Sequence, residues 1–281
     1  MLALAVAVIA VVIGLSLYGI RRKRRPEGAD DAPGLRLIVV GGLVVPAIVL
    51  TVLFVLMVRD LGAESRELAS ADLSINVIAH QWWWEVRYEN GSVVSANEIH
   101  IPVGEHVRME LSTEDVIHSY WVPQLQAKVD MIPGRVNEIS LRADDPGRYR
   151  GICGEFCGIQ HAKMQFLVVA QSRADFDAWL QTESRAAPES VSGAGSEAFL
   201  GSTCSGCHAI RGTGAAGTSG PDLTHFGSRL TIGAGAVPNT PENLADWILD
   251  SQDVKPGNKM PPQPVSAEDL QAMVDYLEGL K

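Results

Sequence analysis

Apolar residues crowd the first sixty positions and thin out afterwards. Met1 to Ile20 is an almost unbroken apolar run, and a second extends from Leu37 to Val58. Each is long enough for a bilayer-spanning helix, which needs about 20 residues. Arg21-Arg22-Lys23-Arg24-Arg25 stands between them. A cleaved signal peptide carries its basic residues ahead of its apolar core, so the first run reads as a retained anchor. The positive-inside rule puts the basic connection in the cytoplasm and everything after Asp60 outside. Five consecutive cations at the join argue against a buried hairpin in a soluble core.

From Leu73 the period changes to two. Leu73, Ile75 and Val77 alternate with polar residues, as in a half-buried strand. Trp82 to Tyr88 is aromatic and β-favouring. Glu98–Ile101, His106–Leu111, Val136–Leu141 and Gln165–Ala170 also read as strands. Asn90-Gly91, Pro102-Val103-Gly104, Pro133-Gly134 and Pro146-Gly147 supply turn signals between them. Short strands at this spacing predict a small all-β barrel or sandwich. Ala174 to Leu180 predicts a closing helix. Thr182 to Gly195, rich in Ser, Ala, Gly and Glu, reads as a flexible linker.

Beyond the linker the pattern turns helical. Ser196 is positioned to cap a helix through Gly201. Thr240-Pro241-Glu242 opens another, with Pro in its first turn. Ser266 with Asp269 opens a third, running to near Leu280. The expected organisation is therefore a transmembrane helical hairpin (1–60), an all-β domain (70–181), the linker (182–195) and an all-α domain (196–281).

The 281 residues suit roughly two compact domains at about 100–200 residues each. The formal net charge is −10. No basic stripe is present to neutralise phosphates, which argues against a nucleic-acid partner. An acidic soluble part suits a basic partner steered by charge, although an acidic surface also serves solubility alone.

The four cysteines form two close pairs, and each pair has a nearby histidine. The first lies in Cys153-Gly-Glu155-Phe-Cys157-Gly-Ile-Gln-His161-Ala-Lys-Met164. His118 supplies a second imidazole. On ligand type the set suits tetrahedral zinc as well as copper. Met164 favours copper, because zinc sites rarely use a thioether. A Cys153–Cys157 disulfide would leave His161 and Met164 without a role.

Several motifs here resemble subunit II of the haem–copper cytochrome c oxidases. They are Gln81-Trp82-Trp83-Trp84, Glu114 through Pro123, Lys128-Val129-Asp130, Pro133-Gly134-Arg135 and the run from Cys153 to Met164. Together they cover most of the chain before the linker. The resemblance implies a cupredoxin-like fold holding the binuclear copper centre CuA. By position, Cys153 and Cys157 would bridge two coppers, and His118 and His161 would each ligate one. Met164 and the Glu155 carbonyl would be weak outer ligands. The Glu155 side chain would face a magnesium shared with subunit I. Trp82 matches the family position that receives electrons from cytochrome c; a barrel-packing aromatic is the plainer reading. Two thiolate bridges would delocalise one electron over both metals, and a stiff scaffold would hold that geometry with little rearrangement. The stretch Leu37 to Pro46 lacks the acid that the family often carries there, so no direct proton-uptake role carries over. His80, His100, His106 and His225 read as surface or structural histidines.

The second cysteine pair, Cys204-Ser-Gly-Cys207-His208, is the attachment pattern of c-type haem. Its thiols would bond the vinyl groups and His208 would reach the iron. Met260, in Asn258-Lys259-Met260-Pro261-Pro262, is the candidate sixth ligand, and a Met/His pair raises the haem potential. Met273 and His225 are rivals. This part resembles a class I cytochrome c, which implies that the Pro221 carbonyl supports His208.

A CuA domain joined to a cytochrome c domain resembles subunit II of caa3-type oxidases. That implies electron transfer from an external cytochrome or other donor, through haem c and CuA, to haem a of subunit I. Dioxygen reduction and proton translocation would occur in subunit I, and no catalytic acid–base or nucleophilic residue is expected here. The implied partners are subunit I, subunit III and the membrane of a bacterial cell, crossed more than once. Two other readings stay open: the electron-accepting subunit of a CuA-containing nitric oxide reductase, and a membrane-anchored metal-binding module, against which the haem motif argues. Nitrous oxide reductase would require a further large domain, and the related quinol oxidase subunits lack the copper ligands.

Overall fold

The computed structural model describes residues 2–21, 32–88 and 93–281. The chain divides into two compact units on either side of the Leu61–Gly62 junction.

The first unit is helical. α1 is Leu2–Arg21, α2 is Ala32–Val39, and α3, Val45–Ser70, continues α2 through a wider π turn at Val40–Val44. The wide turn falls just before Pro46, which lacks an N–H and whose ring would press on the carbonyl four residues back. Among the described residues one helix, Gly34–Ser70, is long and apolar enough to cross a membrane, while Val6–Arg21 is a shorter apolar helix. The expected pair of spans is thus met by one such helix. Most of the basic connection, Arg22 to Arg25, lies outside the described residues. Leu50, Phe54 and Leu61 are more than half exposed along the long helix, the surface a lipid environment would cover.

The second unit takes in the last turns of α3 and then forms two five-stranded sheets. β1 (Leu73–His80), β2 (Trp83–Tyr88), β3 (Val93–Ala96), β5 (Val107–Thr113) and β8 (Asn137–Leu141) form one, in the order β3-β2-β1-β5-β8. β4 (Glu98–Pro102), β6 (His118–Trp121), β7 (Val129–Met131), β9 (Gly147–Cys153) and β10 (Gln165–Gln171) form the other, in the order β4-β10-β9-β6-β7. β1 with β5 and β4 with β10 are parallel; the remaining pairs are antiparallel. Leu73, Ile75, Val77 and Ala79 point inward, so the period-two pattern read in the sequence is the pleat of β1. Trp82 precedes β2 rather than opening it, and the Asn90-Gly91 turn lies outside the described residues.

Trp84, Tyr120 and Phe166 fill the space between the sheets. The Phe166 centroid lies 4.8 Å from Tyr120 and 4.9 Å from Trp84. A Cβ at Gly151 would stand 2.2 Å from the Phe166 ring, so this strand position admits glycine alone. Burying such side chains contributes about 1.5–3 kcal/mol each. α4, Arg173–Glu183, closes the barrel: Ser172 caps it by accepting from the Asp175 N–H, and Phe176 is buried.

The helical part follows. α5 is Ala194–Gly201, α6 the single turn Cys204–Cys207, α7 Pro241–Val254 and α8 Ala267–Gly279, with a two-stranded ribbon of β11 (Thr231–Ile232) and β12 (Val237–Pro238). Thr240 and Ser266 cap α7 and α8 as the sequence predicts. Ser196 does not cap α5. Gly193 holds that position, and Ser196 sits in the first turn, exchanging hydrogen bonds with the Gly193 backbone.

The segment 182–195, expected to be a flexible linker, is instead tied down. The Ala187 N–H donates to the Arg211 carbonyl at 2.9 Å, and the Arg211 guanidinium donates to the Glu183 and Ser184 carbonyls. Its composition suggests looseness, but the carbonyls have a specific cation to accept from. The barrel and helical part also meet directly. Glu98 of β4 accepts from the Leu230 N–H at 2.6 Å, and the Gln165 N–H donates to the Ala234 carbonyl at 3.0 Å.

Candidate metal and haem centres

β9 delivers Cys153 at its end, and the loop to β10 delivers Cys157, His161 and Met164. His118 opens the neighbouring strand β6. The loop is anchored at both ends: Cys153 N–H donates to the Met164 carbonyl, and Gly154 N–H to the Ser119 carbonyl. The two sulfurs lie 3.8 Å apart. His118 Nδ1 is 3.8 Å from Cys153 Sγ, and His161 Nδ1 is 3.9 Å from Cys157 Sγ. Met164 Sδ is 3.8 Å from Cys157 Sγ, and the Glu155 carbonyl is 3.2 Å from Cys153 Sγ. Each of the other four donors expected from the sequence therefore lies within 3.9 Å of one of the two sulfurs, and the ligand atoms of His118, Cys153 and Cys157 lie within 4.8 Å of one another. Cys153, Cys157, His118 and Met164 are buried there.

The two thiols act as a linked pair, Cys153 pushed down and Cys157 pushed up by the bond between them. Both thiols are free. Cys157 hydrogen-bonds Cys153, and this bond, with His118 behind it, holds the Cys153 thiol well below its ordinary range despite burial. Such a thiolate is the form that binds metal. Burial pulls the His118 pKa down, but its bonds to Cys153 and Asp115 raise it overall. Asp115 Oδ1 lies 2.9 Å from His118 Nε2, so the carboxylate sets the ring and leaves Nδ1 toward the sulfurs. Two thiolates, two imidazoles and a thioether are a soft set that fits copper. The Glu155 side chain points elsewhere, 3.5 Å from Lys128 Nζ.

The second site is a cavity of about 360 Å³ lined by Cys204, Cys207, His208 and Met260, with Trp247, Leu223 and Phe226 among its apolar walls. His208 Nδ1 donates to the Pro221 carbonyl at 2.7 Å, leaving Nε2 as the free ligand atom. Burial lowers the His208 pKa, which keeps the ring neutral as an iron ligand must be. A Cβ on Gly220 would lie 2.7 Å from the His208 ring, so glycine is required beneath it. Met260 is held by its backbone: its N–H donates to Asn258 Oδ1, and its carbonyl accepts from Ser251 and Gln252. Met273 is buried in the helical core, and His225 bonds the Arg185 carbonyl. Neither rival lines the cavity. Paired thiols, a neutral imidazole, a thioether and apolar walls fit a covalent haem.

Trp82 belongs to both sites. It lines the haem cavity, and its indole N–H donates to the Cys157 carbonyl at 3.0 Å. Gln81 Nε2 donates to the same carbonyl at 2.8 Å. His80, His100, His106 and His225 have structural contacts; His100, for instance, stacks on Trp179 at 4.0 Å.

Three residues carried no assigned role in the sequence. Asp115 sits three positions before His118, a spacing that hinted at the pair. Lys255 and Lys259 left no signal, because their partners are distant in the chain: Lys255 Nζ donates to the Trp82 carbonyl, and Lys259 faces Asp115 at 3.7 Å.

These donor sets and folds define a membrane-associated electron-transfer protein that joins a cupredoxin-like copper domain to a cytochrome c domain. The family model described as "Cytochrome C oxidase subunit II, periplasmic domain" matches residues 91–171, and that described as "Cytochrome c" matches residues 192–281. Cytochrome c oxidase subunit 2 of Alkalihalophilus pseudofirmus is 38% identical, over 99% of this chain and 84% of the relative. The Bacillus subtilis protein of the same name is 29% identical, over 93% of this chain and 81% of its own length. The solved periplasmic domain of cytochrome oxidase subunit II from Bradyrhizobium japonicum is 30% identical, with a TM-score of 0.39 over 41% of this chain and 94% of that one. The chain belongs to the cytochrome c oxidase subunit II family, in its caa3-type form with a fused cytochrome c domain.

Proposed function

We propose that this chain receives electrons at its helical domain and delivers them through its copper domain to subunit I of a haem–copper oxidase. When bound, the haem and copper would carry single electrons from a donor toward the dioxygen-reducing subunit. The observation that carries this reading is Trp82, which lines the haem cavity and hydrogen-bonds the carbonyl of Cys157. In a family member without the helical domain this tryptophan would meet an outside donor. Here its own chain covers it, so Trp82 receives electrons from within and the outside donor meets the helical domain.

The residues divide the work plainly. Cys153 and Cys157 would bridge a pair of coppers, His118 and His161 would cap each metal, and Met164 and the Glu155 carbonyl would complete the set. Asp115 orients His118, and the loop anchors at Ser119 and Met164 limit movement on reduction. Cys204 and Cys207 would hold the haem covalently, with His208 and Met260 on the iron. The Glu155 side chain, half-exposed and paired with Lys128, is free to exchange that partner for magnesium at subunit I. The long helix Gly34–Ser70 supports membrane attachment, with α1 as a second span and both domains outside the cell. Subunit III and an acidic-surface-seeking donor complete the expected assembly.

Copper and haem content with electron paramagnetic resonance on the purified protein tests the reading. Two coppers sharing one unpaired electron, together with one covalent haem, are expected. Cys157→Ser should abolish the copper signal while the haem stays attached. Zinc in place of copper in the wild type would overturn the assignment.

A further inference from the structure

Lys255 is 2% exposed, an unusual place for an ammonium group. Its Nζ donates to the Trp82 carbonyl at 3.0 Å and to the Gly233 carbonyl at 2.9 Å. The first belongs to the copper barrel and the second to the turn after β11. Among the described residues no carboxylate lies within 4.0 Å of it, so no acidic side chain there cancels its charge at contact distance. The same side chain lines the haem cavity. Burial lowers its pKa to about 8, while the nearby Cys157 sulfur favours the charged form.

A buried, charged donor of this kind is costly unless its position is needed. Hydrogen bonds from a charged donor are stronger than neutral ones, enough to fix the approach of two elements. The backbone around Lys255 is itself rigid: its N–H donates to Ser251, and its carbonyl accepts from Asn258. The loop that presents Met260 thus also presents this ammonium to Trp82. The neighbouring contacts agree, since Gln160 of the copper loop donates to the Pro256 carbonyl and Lys163 Nζ to the Val254 carbonyl at 3.2 Å.

We propose that Lys255 is a positioning residue for electron transfer within this chain. It clamps Trp82 to the haem domain and keeps one positive charge between the haem cavity and the copper loop. The charge stabilises the reduced form of either centre, because reduction adds an electron to a site it faces. The clamp fixes the gap that the electron crosses. This inference rests on the electron-transfer reading above.

The test uses the full chain in its purified complex, comparing wild type with K255M, K255Q and K255R. Absorption and paramagnetic resonance first establish that copper and haem are present. Midpoint potentials of both centres and the rate of haem-to-copper electron redistribution after flash reduction are then measured. In K255M the copper redox equilibrium should shift roughly tenfold toward the oxidised form, about 59 mV for one electron. Redistribution should slow. K255Q keeps donors for the two carbonyls but not the charge, so its copper potential should fall while its transfer rate stays nearer the wild type. K255R keeps the charge and should hold the wild-type potential. Should K255M lose a centre, K255Q decides the question. Intact centres with unchanged potentials in K255Q would overturn the proposal, as would K255R falling as far as K255Q. A wild-type protein lacking copper or haem would instead overturn the functional reading beneath it.

Discussion

His118 turns its Nε2 to the Asp115 carboxylate at 2.9 Å, while its Nδ1 faces the sulfur of Cys153. One carboxylate therefore decides which nitrogen meets the metal. Asp115 also accepts from the Gln81 N–H at 2.7 Å and faces Lys259 Nζ at 3.7 Å. It joins the copper ligand to the segment that carries Trp82 and to the loop that carries Met260.

Replacing Asp115 with Asn keeps the shape but weakens the hold on the imidazole. Copper affinity should fall about 10–100-fold, the usual cost of losing an outer partner to a ligand histidine. Competition with a copper chelator measures this. The haem spectrum should not change, because Asp115 does not line the haem cavity.

Met260→Ala should open the iron. The haem potential should drop, and the reduced protein should bind carbon monoxide, since a thioether ligand is what raises the potential. The copper resonance should stay as in the wild type. An unaltered haem spectrum would assign the sixth position to another residue.

Phe166 is packed between Trp84 and Tyr120 over Gly151. Phe166→Ala should destabilise the barrel by about 3–5 kcal/mol, because the rings around it cannot collapse into the void. Denaturant unfolding of the barrel reads this directly. Copper retention should fail at lower denaturant than haem absorbance.

Glu183, 6% exposed, has its pKa raised to about 7 by burial, although Arg229 and Arg211 oppose the rise. The folded state therefore binds more protons at this site than the unfolded state between about pH 4.5 and 7. Stability from this group is greatest below that window and is lost as pH rises through it. Glu183→Gln should accordingly stabilise the protein at pH 8, by up to about 3 kcal/mol, and change little at pH 4. Thermal unfolding at the two values tests the sign.

The sequence by itself determined which donors were candidates. Cys153, Cys157, His161 and Met164 lie within one short stretch, and Cys204, Cys207 and His208 within another, so these candidates were legible from spacing, while the two-copper roles and the part of His118 came with the family resemblance. The alternation in Leu73–Val77 and the caps at Thr240 and Ser266 were equally local and equally legible. What only the tertiary structure decided is how the two parts meet. Asp115 holds His118, Lys255 reaches Trp82, Glu98 bonds Leu230 and Arg211 fastens residues read as a loose linker. Three of these four contacts join residues far apart in the chain, and their donors and acceptors are common side chains or backbone groups. A lysine in a polar stretch carries no mark of burial until the fold brings a carbonyl from 173 residues away to its ammonium. For the same reason the placement of Trp82 on the wall of the haem cavity had no local signal.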